Sequence, residues 1–174
     1  MRSRILPLKF FKRSALLVAP ELLGKYLVLG NKKLIITETE AYDGHDDKAS
    51  HASRGKTKRN APMFESGGGW YVYLCYGMYW MLNIVTGDKN YPSAVLIRGV
   101  EGFVGPGKLT KHFGITRKFN GKPADKKTGL WIEDRGMVIS SRQTKRSSRI
   151  GVAYAGPVWS KKKWRFQLTS KNKP

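Results

Sequence analysis

Residues 67–87 read GGGWYVYLCYGMYWMLNIVTG, and this aromatic stretch decides the fold prediction. Aromatic and β-branched residues favour β-strands, and they fill both halves of the stretch. Between the halves lies Tyr76-Gly77, and glycine is the residue that a tight hairpin turn requires. The stretch therefore predicts two antiparallel strands with Tyr76-Gly77 at the projecting tip of the hairpin.

The segments on either side of this hairpin predict further strands and few helices. Residues 14–24, SALLVAPELLG, are typical of a short helix with Ser14 as N-cap and Gly24 as C-terminal stop. Residues 43–69 are polar and predict a long surface loop. The remaining strands are predicted in six segments, namely KYLVLG, LIITETEAY, SAVLIRGVEG, GLWIED, RIGVAYAG and WRFQLTS.

These elements predict an α+β fold in which a curved mixed or antiparallel sheet is flanked by helices. The length of 174 residues fits a single domain, here 1–174, with a basic tail at about residues 168–174. The composition has 33 Lys and Arg against 12 Asp and Glu, a formal net charge of +21, and such an excess favours a polyanionic partner. No apolar run reaches the roughly 18 residues of a membrane span, and no secretory cleavage site follows the basic N-terminus. With Cys75 as the single cysteine, a reducing compartment is expected: the cytoplasm and nucleoid, or the nucleus in a eukaryote.

Two carboxylates and a phenol are predicted to share one face of a strand. In ITETEAY, alternation places Glu38, Glu40 and Tyr42 on the same side. One reading is that the glutamates pair with nearby Arg or Lys side chains, and the other is that one of them is a general base beside an anion-binding cleft. A metal site built from the ligand types in HDDKASH, residues 45–51, is a third reading, but the spacing matches no specific metal motif.

The hairpin aromatics also have two readings. Most rings in a hairpin pack into a core. A tip residue such as Tyr76 on a basic surface is, however, suited to wedge between base steps, while neighbouring tyrosines stack on an extruded base. Wedge, stacking rings and carboxylate together point to an enzyme that flips bases out of duplex DNA.

Six motifs then follow in the order and approximate spacing of one known family: ETEAY, RN…MF, YVYLCYGMYWMLN, AVLIRGVE, GPGKL and RIGV…AG…WRF. By these motifs, over nearly its whole length, the chain resembles the alkyladenine (3-methyladenine) DNA glycosylase family. Between VEG and GPGKL that family usually carries an insertion, which residues 102–104 replace here. The resemblance therefore points to a member of reduced size.

The resemblance implies a catalytic role for two residues. Glu40 would activate the water that attacks the sugar C1′, and Arg98 would hold the target phosphate and help to place that water. The implied activity is that of a monofunctional hydrolytic glycosylase in base excision repair, with 3-methyladenine, 7-methylguanine, hypoxanthine and ethenoadenine as substrate bases. No cofactor or metal is implied.

The resemblance also implies the residues that bind the base and the duplex. Tyr42 and His51 would form one wall of the base pocket and Tyr73 the other. Asn83 would exclude the exocyclic amino group of normal guanine, and Ile150 would lie at the pocket edge. Tyr76 would intercalate. Three basic residues within the shared motifs are predicted to contact the DNA backbone: Arg59, Lys108 and Arg149.

The expected partner is double-stranded DNA with damaged purines, bound by a monomer away from membranes. A rival hypothesis from the charge and aromatics alone is a non-catalytic DNA- or RNA-binding protein, and a related one is a protein that binds lesions without excising them. Replacement of Glu40 separates the readings, because only an enzyme loses turnover while retaining DNA binding.

Overall fold

A curled antiparallel sheet of ten strands forms the body of the protein in the computed structural model, which describes residues 3–169. Seven strands lie side by side in the order β1-β8-β2-β3-β6-β5-β4, while β10 joins β3 to β9 and β7 pairs with β6. The strands are β1 (Arg4–Ile5), β2 (Tyr26–Leu29), β3 (Lys32–Asp43), β4 (Trp70–Cys75), β5 (Tyr79–Val85), β6 (Ser93–Val100), β7 (Phe103–Val104), β8 (Leu130–Asp134), β9 (Thr144–Ser147) and β10 (Arg165–Leu168). The predicted α+β class is confirmed.

Strand β3 lies at the centre of this sheet and pairs along both of its edges. One of its edges pairs with β6 from Ile36 to Asp43. Its other edge pairs first with β2, over Lys32 to Ile35, and then with β10, over Glu38 to Glu40. Because one long strand serves two different neighbours in succession, the sheet curls around it.

The helices are short and pack against this sheet. They are α1 (Leu8–Phe11), α2 (Ala15–Glu21), α3 (Pro106–Phe113) and α4 (Gly156–Ser160), with five 3-10 turns at His51–Arg54, Ala61–Phe64, Arg117–Phe119, Ser141–Gln143 and Ala153–Ala155. Ser14 caps α2 as predicted, since its side chain accepts a hydrogen bond from the amide of Leu16. The Thr39 hydroxyl donates to the carbonyl of Ala19 at 2.8 Å, which ties α2 to β3. The longest α-helix between residues 3 and 169 is α3, with eight residues, so none of the described helices could span a bilayer.

One strand prediction near the C-terminal end is wrong. Residues 149–156, RIGVAYAG, form no strand: Gly151 has φ +75°, outside extended backbone, and a 3-10 turn follows at Ala153–Ala155. The basic tail predicted at about residues 168–174 stays a prediction, and its first residue, Leu168, is buried at the end of β10. The amide of Thr169 also donates to the Gln143 carbonyl at 2.9 Å, and residues 170–174 lie outside the described residues.

Candidate active site

The predicted hairpin is present and ends in an exposed aromatic tip. β4 and β5 pair in register up to Cys75 and Tyr79, which leaves Tyr76, Gly77 and Met78 to form the loop. Tyr76 and Gly77 both have positive φ, +50° and +69°, as in a type I′ turn, and the amide of Met78 donates to the Cys75 carbonyl at 3.0 Å. The Tyr76 side chain is 85% exposed, so nothing within the described residues covers the ring.

Strand β3 places Glu38, Glu40 and Tyr42 on one face, as alternation predicted. The Tyr42 hydroxyl donates to Glu40 Oε2 at 2.9 Å. Glu40 Oε1 accepts a second hydrogen bond from the amide of Ile150 at 2.9 Å, across 110 residues of sequence. The Glu40 side chain is fully buried beneath these two donors. Its carboxylate is therefore fixed in one orientation.

The electrostatic setting of Glu40 makes it a stronger base than a surface glutamate. Burial raises the pKa of the Glu40 carboxyl, and Arg98, the Ile150 amide and the Tyr42 hydroxyl offset this increase only in part. Arg98 Nε lies 3.5 Å from Glu40 Oε1. A buried carboxylate with a raised pKa beside a fixed cation is suited to accept a proton from water.

A bulge in β6 brings Arg98 to this carboxylate. Thr39 pairs with Ile97 and Glu38 pairs with Gly99, so Arg98 is an extra residue opposite β3. Arg98 Nε donates to Glu38 Oε1 at 3.1 Å, and Arg165 Nε lies 3.0 Å from the same oxygen as an ion pair. Glu38 is thus paired with two arginines, as one reading of the glutamates predicted, whereas Glu40 lines a cavity.

One cavity of about 290 Å³ collects the predicted site residues. That volume lies at the lower end of small-ligand pockets, which start at ~300 Å³. The cavity is lined by all eight residues predicted to be catalytic, to bind the base or to intercalate, namely Glu40, Tyr42, His51, Tyr73, Tyr76, Asn83, Arg98 and Ile150. Residues that are up to 110 positions apart in sequence therefore converge on a single concave site.

Two aromatic rings of this cavity contact each other directly. The centroids of His51 and Tyr73 are 4.6 Å apart in an edge-to-face arrangement. A base stacked between two rings needs about 7 Å, twice the ~3.5 Å contact distance of carbon atoms. The predicted sandwich therefore requires the His51 and Tyr73 rings to separate.

The aromatic lining is neutral at neutral pH. Burial raises the pKa of Tyr42 and of Tyr73 well above the ordinary value and that of Tyr71 to about 12. Partial burial and the nearby Arg59 lower the pKa of His51 below its ordinary value of about 6.5. One His51 ring nitrogen, Nδ1, lies 3.2 Å from the Tyr71 hydroxyl. Uncharged rings accept a cationic base without repulsion.

Asn83 is buried in the wall of the cavity and held rigidly. Its side-chain Nδ2 donates to the Tyr71 carbonyl at 3.1 Å across the β4–β5 pair. The side chain is only 3% exposed. The Asn83 amide is therefore held in one orientation in the cavity wall.

Comparison with known proteins identifies the family of this chain. The family model described as methylpurine-DNA glycosylase matches residues 9–104 and 102–172. The chain belongs to this family. The two matched segments meet at residues 102–104, where the sequence predicted a missing insertion.

Curated relatives are similar over nearly their whole length. A Rickettsia felis protein with the provisional name 3-methyladenine DNA glycosylase is 42% identical over 172 residues, which cover 95% of this chain and 93% of the relative. A protein with the same provisional name from Wolbachia of Brugia malayi is 42% identical over 97% of this chain and 99% of its own length. Another, from Ehrlichia chaffeensis, is 42% identical over 94% of this chain and 93% of its own length. The chain is accordingly a DNA N-glycosylase, a hydrolase of DNA repair.

The three predicted DNA-backbone residues have different positions in this glycosylase. Arg59 and Lys108 are exposed. Arg59 also donates to the Leu74 carbonyl at 2.6 Å, which connects the loop after β3 to the hairpin. Arg149 is buried and forms an ion pair with Asp47 at 2.6 Å, both side chains having no exposed surface. The prediction that Arg149 contacts DNA is wrong, because its guanidinium is not accessible to a phosphate.

The candidate metal ligands do not come together. Asp47 is paired with Arg149, while His45 and Asp46 are exposed. Within residues 3–169, no group of three or more His, Cys, Asp or Glu side chains is arranged to hold a metal ion.

Sequence reasoning missed Tyr154 at the mouth of the cavity. Its ring is 66% exposed, and its hydroxyl donates to the Ala49 carbonyl at 2.8 Å. Tyr154 lies within RIGVAYAG, the segment that the sequence predicted as a strand. The signal against a strand was the pair of flanking glycines, Gly151 and Gly156, both of which have positive φ.

Proposed function

We propose that the protein flips damaged purines out of duplex DNA and hydrolyses their N-glycosidic bond with Glu40 as general base. The observation that carries this proposal is the buried Glu40 carboxylate, which lies at the floor of the aromatic cavity with Arg98 at 3.5 Å. Glu40 would take a proton from the water that attacks C1′, and its negative charge would stabilise the oxocarbenium-like transition state. General-base catalysis of this kind contributes about 10²–10⁴-fold to rate.

The substrates that fit this site best are N-alkylated purines. Purines such as 3-methyladenine and 7-methylguanine are cationic and leave without help from an acid. The neutral rings of His51, Tyr42 and Tyr73 would stack on such a base, and a stacked base contributes about 1–3 kcal/mol. Asn83 would exclude the amino group of normal guanine. Hypoxanthine and ethenoadenine are further candidate substrates. Unlike the cationic alkylated purines, these bases are neutral and need to be protonated as they leave.

The exposed hairpin tip and the basic surface would supply the contacts with DNA. Tyr76 would fill the space that the flipped nucleotide leaves, as apolar wedges do between base steps. The exposed Arg59 and Lys108 would contact backbone phosphates, which contribute most of the general affinity for DNA. We propose that the enzyme acts in this way as a monomer, on chromosomal DNA.

The test is a glycosylase assay on labelled duplexes that contain a methylated purine, hypoxanthine or ethenoadenine. The wild type is compared with Glu40→Gln and with Glu65→Gln, a control that alters a half-exposed surface glutamate. We expect the wild type and the control Glu65→Gln to release the base much faster than Glu40→Gln. Strand breaks should appear only after alkali. Strand breaks without alkali would instead indicate an amine nucleophile, and tight binding without release of any base would indicate a lesion-binding protein.

A further inference from the structure

We propose that the buried ion pair between Asp47 and Arg149 is a positioning device that holds both hydrogen-bond donors on the Glu40 carboxylate. The inference rests on the proposed role of Glu40 as general base. Neither residue of the pair reaches the cavity lining, so the pair would act through Tyr42 and Ile150 rather than on the substrate.

The pair is bidentate and completely enclosed. Arg149 Nη1 lies 2.6 Å from Asp47 Oδ2, and Arg149 Nη2 lies 2.8 Å from Asp47 Oδ1. Nη1 also donates to the Ala41 carbonyl at 2.9 Å, between Glu40 and Tyr42 on β3. Buried ion pairs are frequently no more stabilising than apolar residues of similar volume. The geometry of this pair is therefore better explained by what it holds in place than by stability alone.

Asp47 organises the turn that leaves β3. Its Oδ1 accepts from the amide of Ala49 at 3.1 Å, and its Oδ2 accepts from the amide of Asp43 at 3.3 Å. The pair thus joins the segment that leads to His51 with the segment that carries Ile150, although Asp47 and Arg149 are 102 residues apart.

Arg149 controls the two donors to Glu40 in different ways. Its backbone directly precedes Ile150, whose amide donates to Glu40 Oε1 at 2.9 Å. Its guanidinium lies 4.7 Å from the centroid of the Tyr42 ring and 4.9 Å from that of Trp164. Tyr42 in turn donates to Glu40 Oε2 at 2.9 Å. One guanidinium therefore fixes an amide on one carboxylate oxygen and a hydroxyl on the other.

Loss of this support changes the protonation of Glu40 in a definite direction. The Ile150 amide and the Tyr42 hydroxyl both lower the pKa of Glu40, so their displacement raises it further. The other charged or titratable groups around Glu40 are Glu38 on β3, Arg98 on β6, Arg165 on β10 and Tyr73 on β4. Of these, Arg98 favours ionised Glu40 and Glu38 disfavours it, and neither is altered by a change at position 149. We expect the acid limb of the pH–rate profile to move to higher pH when Arg149 is replaced.

The experiment compares the wild type with Arg149→Lys, which keeps the charge but loses the bidentate fork and the flat surface against Tyr42. Single-turnover release of methylated purines from duplex DNA treated with a methylating agent is followed from pH 5 to 9. The expected result is a loss of about 10–100-fold at neutral pH, with an acid limb at higher pH and duplex affinity unchanged. The double variant Asp47→Asn/Arg149→Gln leaves no buried charge unpaired, and should show the same shift if Arg149→Lys folds poorly.

A control separates positioning from general loss of stability. Asp134→Asn removes the ion pair with Lys25, 2.9 Å long, at the other end of the sheet. It should lower the melting temperature without moving the pH profile. A wild-type rate and an unchanged acid limb in Arg149→Lys would overturn the inference, as would an equal shift in Asp134→Asn.

Failure of the proposed function gives a different result. If the wild type releases no base, the proposed role of Glu40 as general base fails, whereas the inference is still decided by a carbon-13 NMR titration of the Glu40 carboxyl. Titration of Glu40 at higher pH in Arg149→Lys than in the wild type supports the positioning role. An identical titration in both proteins overturns it.

Discussion

Replacement of Glu40 by glutamine should slow excision strongly while making the folded protein more stable at neutral pH. The side chain is fully buried, and burial raises the pKa of its carboxyl despite Arg98 and the two hydrogen-bond donors. The free energy of unfolding therefore falls as pH rises from the unfolded-state pKa, about 4.3 for glutamate, through the higher pKa of the folded state. At a pH above both pKa values, each unit of difference between them lowers the free energy of unfolding of the wild type by about 1.4 kcal/mol.

Glutamine at position 40 avoids this destabilisation with little change of shape. Its amide oxygen can accept from the Ile150 amide as Glu40 Oε1 does, and the Tyr42 hydroxyl can reverse its role and accept from the amide nitrogen. Arg98 keeps its hydrogen bond to Glu38 at 3.1 Å. Below the unfolded-state pKa, glutamine and protonated glutamic acid are nearly equivalent, so the two proteins should then be equally stable.

The assay is urea denaturation of wild type and Glu40→Gln at half-unit steps from pH 4 to 8, with linear extrapolation to water. We expect the variant to be more stable at pH 7, the difference to vanish towards pH 4, and base release to fall by about 10²–10⁴-fold. Glu65→Gln, at a half-exposed carboxylate, serves as the control and should show no such pH-dependent gain. A Glu40→Gln protein that is less stable than the wild type by the same amount at every pH would refute this account of Glu40.

Three further substitutions test other parts of the site. Tyr76→Ser removes an 85% exposed ring, so it should weaken the capture of a flipped base, measured by rapid-quench kinetics, much more than gel-shift affinity for undamaged duplex. Asn83→Ala removes the fixed amide that donates to the Tyr71 carbonyl at 3.1 Å, and should increase release of undamaged guanine relative to methylated purines in a competition assay. Gly107→Ala places a Cβ 2.6 Å from the Tyr79 ring at the base of the hairpin; we expect a loss of about 1–3 kcal/mol in urea denaturation, and an unchanged stability would show that the α3–hairpin contact is loose.

The sequence predicts those parts of the site that depend on local geometry. Strand alternation is sufficient to place Glu38, Glu40 and Tyr42 on one face, because the period of a strand is two residues. The turn at Tyr76-Gly77 follows from the need for positive φ, which the structure has at both residues. Neither inference needs knowledge of distant parts of the chain.

Long-range contacts explain what the sequence alone does not predict. The buried position of Arg149 depends on its partner Asp47, which is 102 residues away, so no local pattern in RIGV reveals it. The bulge that presents Arg98 to Glu40 depends on a register shift between β3 and β6, which no periodicity within β6 reveals. The direct contact of His51 with Tyr73 likewise depends on how the loop after β3 folds back over the hairpin.

The turn at the hairpin tip has a consequence for the search along DNA. A tyrosine with φ +50° adopts a left-handed conformation that costs about 1–2 kcal/mol for a residue with a Cβ. The free energy of folding offsets this conformational cost, and the flanking β4–β5 strand pair keeps the loop in this conformation. The backbone of Tyr76 is consequently preorganised in the free protein. In the binding mode that we propose, Tyr76 would therefore enter the duplex without an additional cost for ordering the loop.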